Sequence, residues 1–232
     1  MPSSAQPEYL HLPSSSGDMA AFHARPATSN GRGLVLFQEA FGVNGHIREL
    51  AGRFARQGYE VLAPELFHRT APGFAGSYDD FSSALPHMQA LTQAGMSEDI
   101  TACYDALARN CDQVVCSGYC MGGRAAFLAA SLRPFRAAAS YYGGSIPSLL
   151  DRAPHLQAPV LFFWGDKDIH IPAAQREQVL AALRAAGKSF TDVTFGEAGH
   201  AFFNDARPSY HPASAQQAWA HTLAFFDWHC SH

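Results

Sequence analysis

The chain has 232 residues, 47% of them hydrophobic, and a formal net charge of −4 at neutral pH. This apolar content is ordinary for a globular protein, and the length suits one α/β domain with a full core. Because there is no basic excess, nucleic acid and anionic membrane surfaces are not expected as partners. No apolar run approaches the roughly 20 residues that span a bilayer, so no membrane segment is predicted.

The N-terminal segment and the cysteines indicate the compartment. Residues 1–17 contain no Lys or Arg and no long apolar run, which does not fit a secretory signal peptide. The five cysteines form no CxxC pair. We therefore expect reduced thiols, a cytoplasmic location, and neither a metal site nor a cofactor. The sequence indicates no oligomeric state.

Strand and helix patterns alternate along the chain. Residues 1–17, rich in Pro and Ser, predict a loose arm, although 10–12 and 19–23 also fit a short edge hairpin. Continuous apolar runs predict buried strands, and apolar residues at i, i+3, i+4 spacing predict helices. Strands are predicted at 33–38, 59–63, 113–117, 137–142, 160–164 and 189–195. Helices are predicted at 47–57, 81–92, 97–110, 121–132, 172–186 and 212–229, with 68–80 irregular.

This alternation is typical of a mostly parallel central sheet with helices on both faces. We therefore predict an α/β fold in a single domain that spans residues 1–232. Ligands of such sheets bind beyond the carboxyl ends of the strands, so the loops that follow strands are the expected place for a functional site.

One cysteine lies between a predicted strand and a predicted helix, in the sequence GYCMG at 118–122. This is the pattern of a nucleophile elbow, with Cys120 where serine is more usual. The sharp turn requires small residues on both sides, and the helix N-terminus favours a thiolate. The backbone N–H of Met121 becomes a candidate oxyanion donor. The alternative is an inert cysteine on a tight turn.

Two later loops offer an acid and a base. The strand at 160–164 is followed by GDKD, which holds Asp166 and Asp168, and the strand at 189–195 is followed by a loop that contains His200. An α/β-hydrolase supplies nucleophile, acid and histidine in this order. The pattern leaves both aspartates open as the acid, since Asp166 also fits an Asx-type turn. The alternative for His200 is a loop histidine bonded to backbone.

Six motifs carry a family resemblance: QEAFGVN at 38–44, APELF at 63–67, GYCMGG at 118–123, YYG at 141–143, GDKD at 165–168 and AGHAF at 198–202. With these motifs in this order, the chain resembles the dienelactone hydrolase (carboxymethylenebutenolidase) family of α/β-hydrolases over roughly residues 17–229. The resemblance implies an α/β-hydrolase fold and a catalytic triad of Cys120, Asp168 and His200, which favours Asp168 over Asp166.

The resemblance also implies roles for the loop after the first buried strand. Glu39 matches a family glutamate that helps govern the protonation of the cysteine. A carboxylate at the end of a buried strand is costly unless it has a partner. The backbone N–H of Ala40 matches the second oxyanion donor.

Substrate binding departs from the family pattern, in which two arginines hold a substrate carboxylate. Residues 70–108 contain no Arg or Lys, and Asn204 stands four residues after His200 where the second arginine would be. Asn204, Arg207, Arg69 and Tyr141 are the remaining candidate substrate contacts. We therefore expect a small-molecule ester or lactone without a free carboxylate near the scissile bond, rather than dienelactone.

Together these features predict a hydrolase that cleaves an ester or lactone through a thioacyl-enzyme. The alternatives are a non-catalytic ligand-binding member of the fold and a redox-sensing thiol protein, with Cys116 as the nearest second cysteine in sequence. Fold alone does not establish activity.

Overall fold

An eight-stranded sheet lies at the centre of the computed structural model, which describes residues 8–232. The strands are β1 (Glu8–Leu12), β2 (Met19–Ala24), β3 (Arg32–Phe37), β4 (Glu60–Pro64), β5 (Gln113–Tyr119), β6 (Ala138–Tyr141), β7 (Val160–Gly165) and β8 (Phe190–Phe195). Across the sheet they follow the order β1-β2-β4-β3-β5-β6-β7-β8. Strand β2 is antiparallel to β1 and β4, and every pair from β4 to β8 is parallel. The predicted mostly parallel sheet is confirmed.

Helices cover both faces of this sheet. In the described residues they are α1 (Gly45–Arg56), α2 (Phe81–Ala90), α3 (Gln93–Leu107), α4 (Met121–Leu132), a 3₁₀ helix (Ile146–His155), α5 (Ala173–Ala185) and α6 (Pro212–Ser231). Neighbouring side chains of a strand point to opposite faces. In β6, Ser140 donates to the carbonyl of Gly123 in α4, whereas Tyr141 donates to the carbonyl of Ala218 in α6. Helices α4 and α6 therefore lie on opposite faces.

The strand register brings the carboxyl ends of the central strands to one edge. Phe37 at the end of β3 pairs with Gly118 of β5, and Tyr119 pairs with Tyr141 of β6. The last residue of β7, Gly165, pairs with the end of β8. The loops that leave β3, β5, β7 and β8 consequently open on the same edge, where ligands of parallel sheets bind.

The N-terminal region differs from the predicted loose arm. Residues 8–12 form β1, paired with β2 from Glu8↔His23 to Leu12↔Met19, which confirms the edge hairpin. The turn between the two strands is also held, because Ser15 Oγ donates to Glu98 Oε2 over 2.8 Å. The expectation of a loose arm is thus wrong for residues 8–17. The rest of the predicted arm, residues 1–7, lies outside the described residues.

Two helices also differ from the sequence-based expectation. Helix α3 begins at Gln93, four residues early, because the Thr92 hydroxyl accepts from the backbone N–H of Gly95 and caps the helix. The 3₁₀ helix Ile146–His155 was not predicted, since two prolines interrupt its pattern. Within residues 8–232, no helix has both the length and the apolar character that a membrane span requires.

Candidate active site

Cys120 stands at the turn between β5 and α4, with φ 54° and ψ −116°. A residue with a side chain seldom adopts this conformation, which is typical of strained functional turns. Two glycines permit it: a Cβ on Gly118 would meet the carbonyl oxygen of Gly122 at 1.9 Å, and a Cβ on Gly122 would meet the carbonyl oxygen of Phe37 at 2.4 Å. The fold therefore presents the half-buried Cys120 thiol at the N-terminus of α4.

His200 lies between this thiol and a carboxylate. Its Nε2 is 3.2 Å from Cys120 Sγ, and its Nδ1 is 2.7 Å from Asp168 Oδ2. Asp168 follows β7 and His200 follows β8, the neighbouring parallel strand. The three side chains thus form one continuous hydrogen-bonded chain from thiol to carboxylate, in the geometry that nucleophile, base and orienting acid require.

The two candidate aspartates have different partners. The second oxygen of Asp168, Oδ1, accepts from the backbone N–H of His170 over 2.8 Å, so Asp168 makes the Asx-type turn that was considered for Asp166. Asp166 instead pairs with Arg176 over 2.8 Å on the surface. The structure therefore brings Asp168 and not Asp166 to the imidazole of His200.

The neighbours of His200 favour its protonated form. Burial lowers the pKa of the imidazole, but the hydrogen bond to Asp168 and the hydrogen bond and charge of Cys120 outweigh burial and raise the pKa to about 10. For Asp168, burial opposes ionisation, yet the hydrogen bond and the charge of His200 hold its pKa below the usual value. The site thus supports a carboxylate and an imidazolium side by side at neutral pH.

Glu39 is a buried carboxylate with neutral partners. It follows β3 and is only 3% exposed. Its Oε1 accepts from the hydroxyl of Tyr142 over 3.3 Å, and its Oε2 accepts from Nδ2 of Asn204 over 2.7 Å. These donors orient the carboxylate without neutralising its charge, and they lower the cost of burying it.

A cavity of about 470 Å³ opens above Cys120 and His200. Phe41, Phe81 and Met88 give it an apolar wall. Arg207 lines the same cavity, with its guanidinium carbon 5.4 Å from the centroid of the Phe41 ring. The cavity thus offers a large apolar surface beside an arginine that is already stacked on an aromatic ring.

Two of the predicted substrate contacts lie away from the cavity. The Tyr141 hydroxyl is fully buried, 2.6 Å from Thr222 Oγ1, so it serves the contact between the sheet and α6. Arg69 forms two hydrogen bonds with the buried Asp99, of 2.7 and 2.9 Å, and a further ion pair with Glu98. Both side chains are therefore committed to structural partners.

Asn204 and Arg207 are the other two predicted substrate contacts. Asn204 is fully buried, and its amide hydrogens are directed to Glu39 and to the hydroxyl of Tyr78. It therefore contacts residues of the cavity wall and does not itself line the cavity. Of the four predicted substrate contacts, Arg207 alone is placed at the cavity.

The two predicted oxyanion donors are free to bind. Ala40 lines the cavity, and Met121 is the first residue of α4. Neither backbone N–H donates a hydrogen bond within residues 8–232. Such unused donors near a nucleophile are what an oxyanion hole requires.

Comparison with known proteins identifies the family. The sequence model of the dienelactone hydrolase family matches residues 19–230. The chain belongs to the dienelactone hydrolase family. A protein of Escherichia coli (strain K12) that bears the provisional name carboxymethylenebutenolidase is 35% identical over 236 residues, covering 94% of this chain and 85% of that protein. A provisionally named carboxymethylenebutenolidase of Methylorubrum extorquens is 33% identical, covering 94% and 79%.

A solved structure supports the same conclusion. The crystal structure of a provisionally named dienelactone hydrolase from Klebsiella pneumoniae subsp. pneumoniae has a TM-score of 0.86 and 35% identity, covering 95% of this chain and 97% of that chain. The α/β-hydrolase fold and the hydrolase function that the sequence resemblance implied are confirmed.

Sequence reasoning assigned no role to two residues that line the cavity, His170 and Tyr78. His170 lines the cavity, and its ring centroid lies 5.1 Å from that of His200. Its place two residues after GDKD was a usable signal. Tyr78 also lines the cavity but lies in the irregular segment 68–80, where no local pattern marks it.

Proposed function

We propose that this chain cleaves a carboxylic ester or lactone with Cys120 as the nucleophile. The observation that carries the proposal is the 3.2 Å contact between Cys120 Sγ and His200 Nε2. In this proposal His200 is the general base, and Asp168 fixes its tautomer and orientation through the 2.7 Å hydrogen bond to Nδ1.

The chemistry runs through a thioacyl-enzyme. The Cys120 thiolate attacks the carbonyl carbon, and the electron pair of the C=O bond moves to oxygen, where the N–H groups of Ala40 and Met121 stabilise it. When the tetrahedral intermediate collapses, the ester C–O bond breaks and His200 gives its proton to the leaving alkoxide. His200 then takes a proton from water, and the hydroxide attacks the thioester carbonyl. The C–S bond breaks, which releases the acid and returns Cys120 as the thiolate beside protonated His200.

We assign Glu39 a part in governing the protonation of Cys120. Its carboxylate lines the same cavity as the thiol and is held in place by neutral donors, so its charge acts on the site. A nearby charge shifts the balance between thiol and thiolate. This agrees with the role that the family resemblance implied for this position.

An uncharged substrate fits the cavity best. The apolar wall of Phe41, Phe81 and Met88 suits an alkyl or aryl group. The charge of Glu39 disfavours an anion. Arg207 has no second arginine beside it to bind a carboxylate, because Arg69 is paired with Asp99. We therefore propose a neutral ester or lactone in place of dienelactone.

A redox role has little structural support. The nearest second cysteine in sequence, Cys116, is fully buried in β5, and burial raises the pKa of its thiol, which makes it unreactive. All five cysteines are free thiols. Free thiols are typical of a reducing compartment, so we also propose a cytoplasmic location.

The test is a panel of neutral esters, lactones and thioesters assayed with the wild type and with Cys120→Ala. We expect kcat to fall by about 10³-fold or more in the variant. Cys230→Ala, which removes a free thiol from the end of α6, is the matched control and should keep wild-type rates. A wild type that turns over none of the panel, or a Cys120→Ala variant as fast as the wild type, would contradict the proposal.

A further inference from the structure

The hydroxyl of Tyr78 is held by two asparagines from distant parts of the chain. Nδ2 of Asn44 and Nδ2 of Asn204 each lie 2.9 Å from the Tyr78 oxygen. Asn44 precedes α1, Asn204 lies in the loop that follows β8, and Tyr78 lies between β4 and α2. The phenol therefore joins three loops at the carboxyl edge of the sheet.

The direction of both hydrogen bonds is fixed by other contacts. Oδ1 of Asn204 accepts from the backbone N–H of Ala206 over 3.0 Å, and Oδ1 of Asn44 accepts from the backbone N–H of Ile47 over 3.3 Å, as the cap of α1. Each amide oxygen thus faces a backbone donor, so each NH₂ group faces Tyr78. A flipped amide would place an oxygen against the phenol and leave a backbone N–H facing NH₂.

Because Tyr78 accepts twice, its own proton is left to donate. A hydroxyl has one donor and two acceptor sites, and the two amides fill the acceptor sites. Within residues 8–232 the phenol donates to no acceptor. Burial, and then the charge of Glu39, raise the pKa of Tyr78, so the proton stays on the phenol at neutral pH.

Tyr78 lines the cavity that holds Cys120, on the wall that it shares with Glu39 and Arg207. An unused donor on a cavity wall is available to a ligand, and buried donors without an acceptor are costly. The guanidinium carbon of Arg207 lies 5.3 Å from the centroid of the Tyr78 ring, but the charge of Glu39 has the larger effect on the pKa of the hydroxyl. The negative charge of Glu39 therefore favours a neutral acceptor over a carboxylate at this place.

We propose that the Tyr78 hydroxyl recognises substrate, by donating a hydrogen bond to a neutral acceptor oxygen of the ester outside the scissile group, such as an ether or hydroxyl oxygen. The proposal rests on the proposed ester hydrolysis at Cys120 and adds a specificity determinant to it. Asn44 and Asn204 are positioning residues: they donate to the Tyr78 oxygen, so that its own proton is free to be donated to the substrate.

The experiment compares esters in pairs that differ by one oxygen in place of one methylene. Suitable pairs are p-nitrophenyl methoxyacetate with p-nitrophenyl butyrate, p-nitrophenyl methoxypropanoate with p-nitrophenyl pentanoate, and methoxyethyl acetate with butyl acetate. The measured quantity is the ratio of kcat/KM within each pair. In Tyr78→Phe we expect this ratio to fall about 3- to 10-fold for at least one pair, as the loss of one neutral hydrogen bond predicts.

The two esters of a pair differ in intrinsic chemical reactivity. This difference cancels when the kcat/KM ratio of the pair is compared between the wild type and a variant. Any disturbance of Glu39 through Asn204 acts on both esters of a pair and cancels as well. Tyr104→Phe is the matched control, because the Tyr104 hydroxyl lies 3.5 Å from the carbonyl of Pro134, away from the cavity. It should leave all ratios unchanged.

A second variant keeps the phenol. In Asn44→Asp, one carboxylate oxygen still caps α1, while the other replaces the amide donor and accepts the Tyr78 proton. We expect Asn44→Asp to lower the same ratio as Tyr78→Phe. Ratios that stay at the wild-type value in both variants for all pairs would overturn the inference. Failure of the wild type to hydrolyse any ester would instead overturn the proposed function.

Discussion

Asn204 donates to the carboxylate of Glu39 over 2.7 Å, so a neutral amide holds a buried charge at the position where the family pattern expects an arginine. An amide orients the carboxylate but leaves its charge in the cavity. The uncompensated charge of Glu39 is the reason for the proposed preference for uncharged substrates. The same amide also donates to Tyr78, which leaves the hydroxyl proton of Tyr78 without an acceptor in the described residues.

Replacing this amide by a carboxylate should destabilise the fold in a pH-dependent way. In Asn204→Asp two carboxylates share one buried site, so the folded state binds a proton more tightly than the unfolded state does. Stability should therefore fall as pH rises, with a loss of about 3 kcal/mol above neutral pH and less near about pH 5. Urea unfolding at both pH values measures it, and an equal loss at both would show that the two carboxylates do not interact.

The two aspartates of the GDKD loop should differ sharply. Asp168→Asn removes the acceptor of His200 Nδ1 and favours the wrong tautomer, so kcat should fall by about 10²-fold or more. Asp166→Asn breaks a surface ion pair with Arg176, which is worth less than about 1 kcal/mol, and kcat should barely change. Ester kinetics and thermal unfolding of both variants provide the measurement. The opposite ranking of the two kcat values would identify Asp166 as the acid.

His200 should not titrate near neutral pH. Its folded pKa of about 10 exceeds the ordinary histidine value, so its charge adds stability that is fully present below about pH 6.5 and is lost as pH rises through the folded value. The NMR signal of its imidazole Cε1–H should stay constant from about pH 5.5 to about pH 8.5. Cys120→Ala and Asp168→Asn should each lower the midpoint. A wild-type midpoint near 6.5 would show that the neighbours do not stabilise the imidazolium.

Local patterns predicted the elements of this fold well because strands and helices have fixed periods. The helix predicted at 121–132 has the observed bounds, and the loops after β7 and β8 were correctly placed at one edge. The elbow was predictable because Gly118 is required by a contact four residues away, with the carbonyl oxygen of Gly122. The contact that requires Gly122 is with Phe37, which is distant in the sequence.

Contacts between distant segments were not predictable in this way. The hydrogen bond between Tyr78 and Asn204 joins residues 126 positions apart, and neither position carries a local signal for the other. Tyr141 and Arg69 were candidates by type, but the helix or acidic partner that engages each one is known only from the fold. Side-chain chemistry was therefore predicted better than side-chain direction.

The charge of the cavity should set substrate preference. We expect kcat/KM to be higher for a neutral lactone than for dienelactone, because a desolvated carboxylate without a bidentate clamp costs on the order of 2–5 kcal/mol. Arg207→Ala should lower the activity on dienelactone more than that on the neutral lactone, whereas Arg69→Ala should change neither. A clear preference for dienelactone that depends on Arg207 would show that one arginine suffices as the clamp.

The acyl-enzyme itself tests the nucleophile most directly. Wild-type protein mixed with p-nitrophenyl acetate, quenched in acid within the first turnovers and analysed by mass spectrometry, should carry one acetyl group. Peptide mapping should place that group on Cys120, and hydroxylamine should remove it, as expected for a thioester. Cys120→Ala should carry none. Turnover of the ester with no acetyl group on Cys120, or with the group on another side chain, would contradict a cysteine-nucleophile hydrolase.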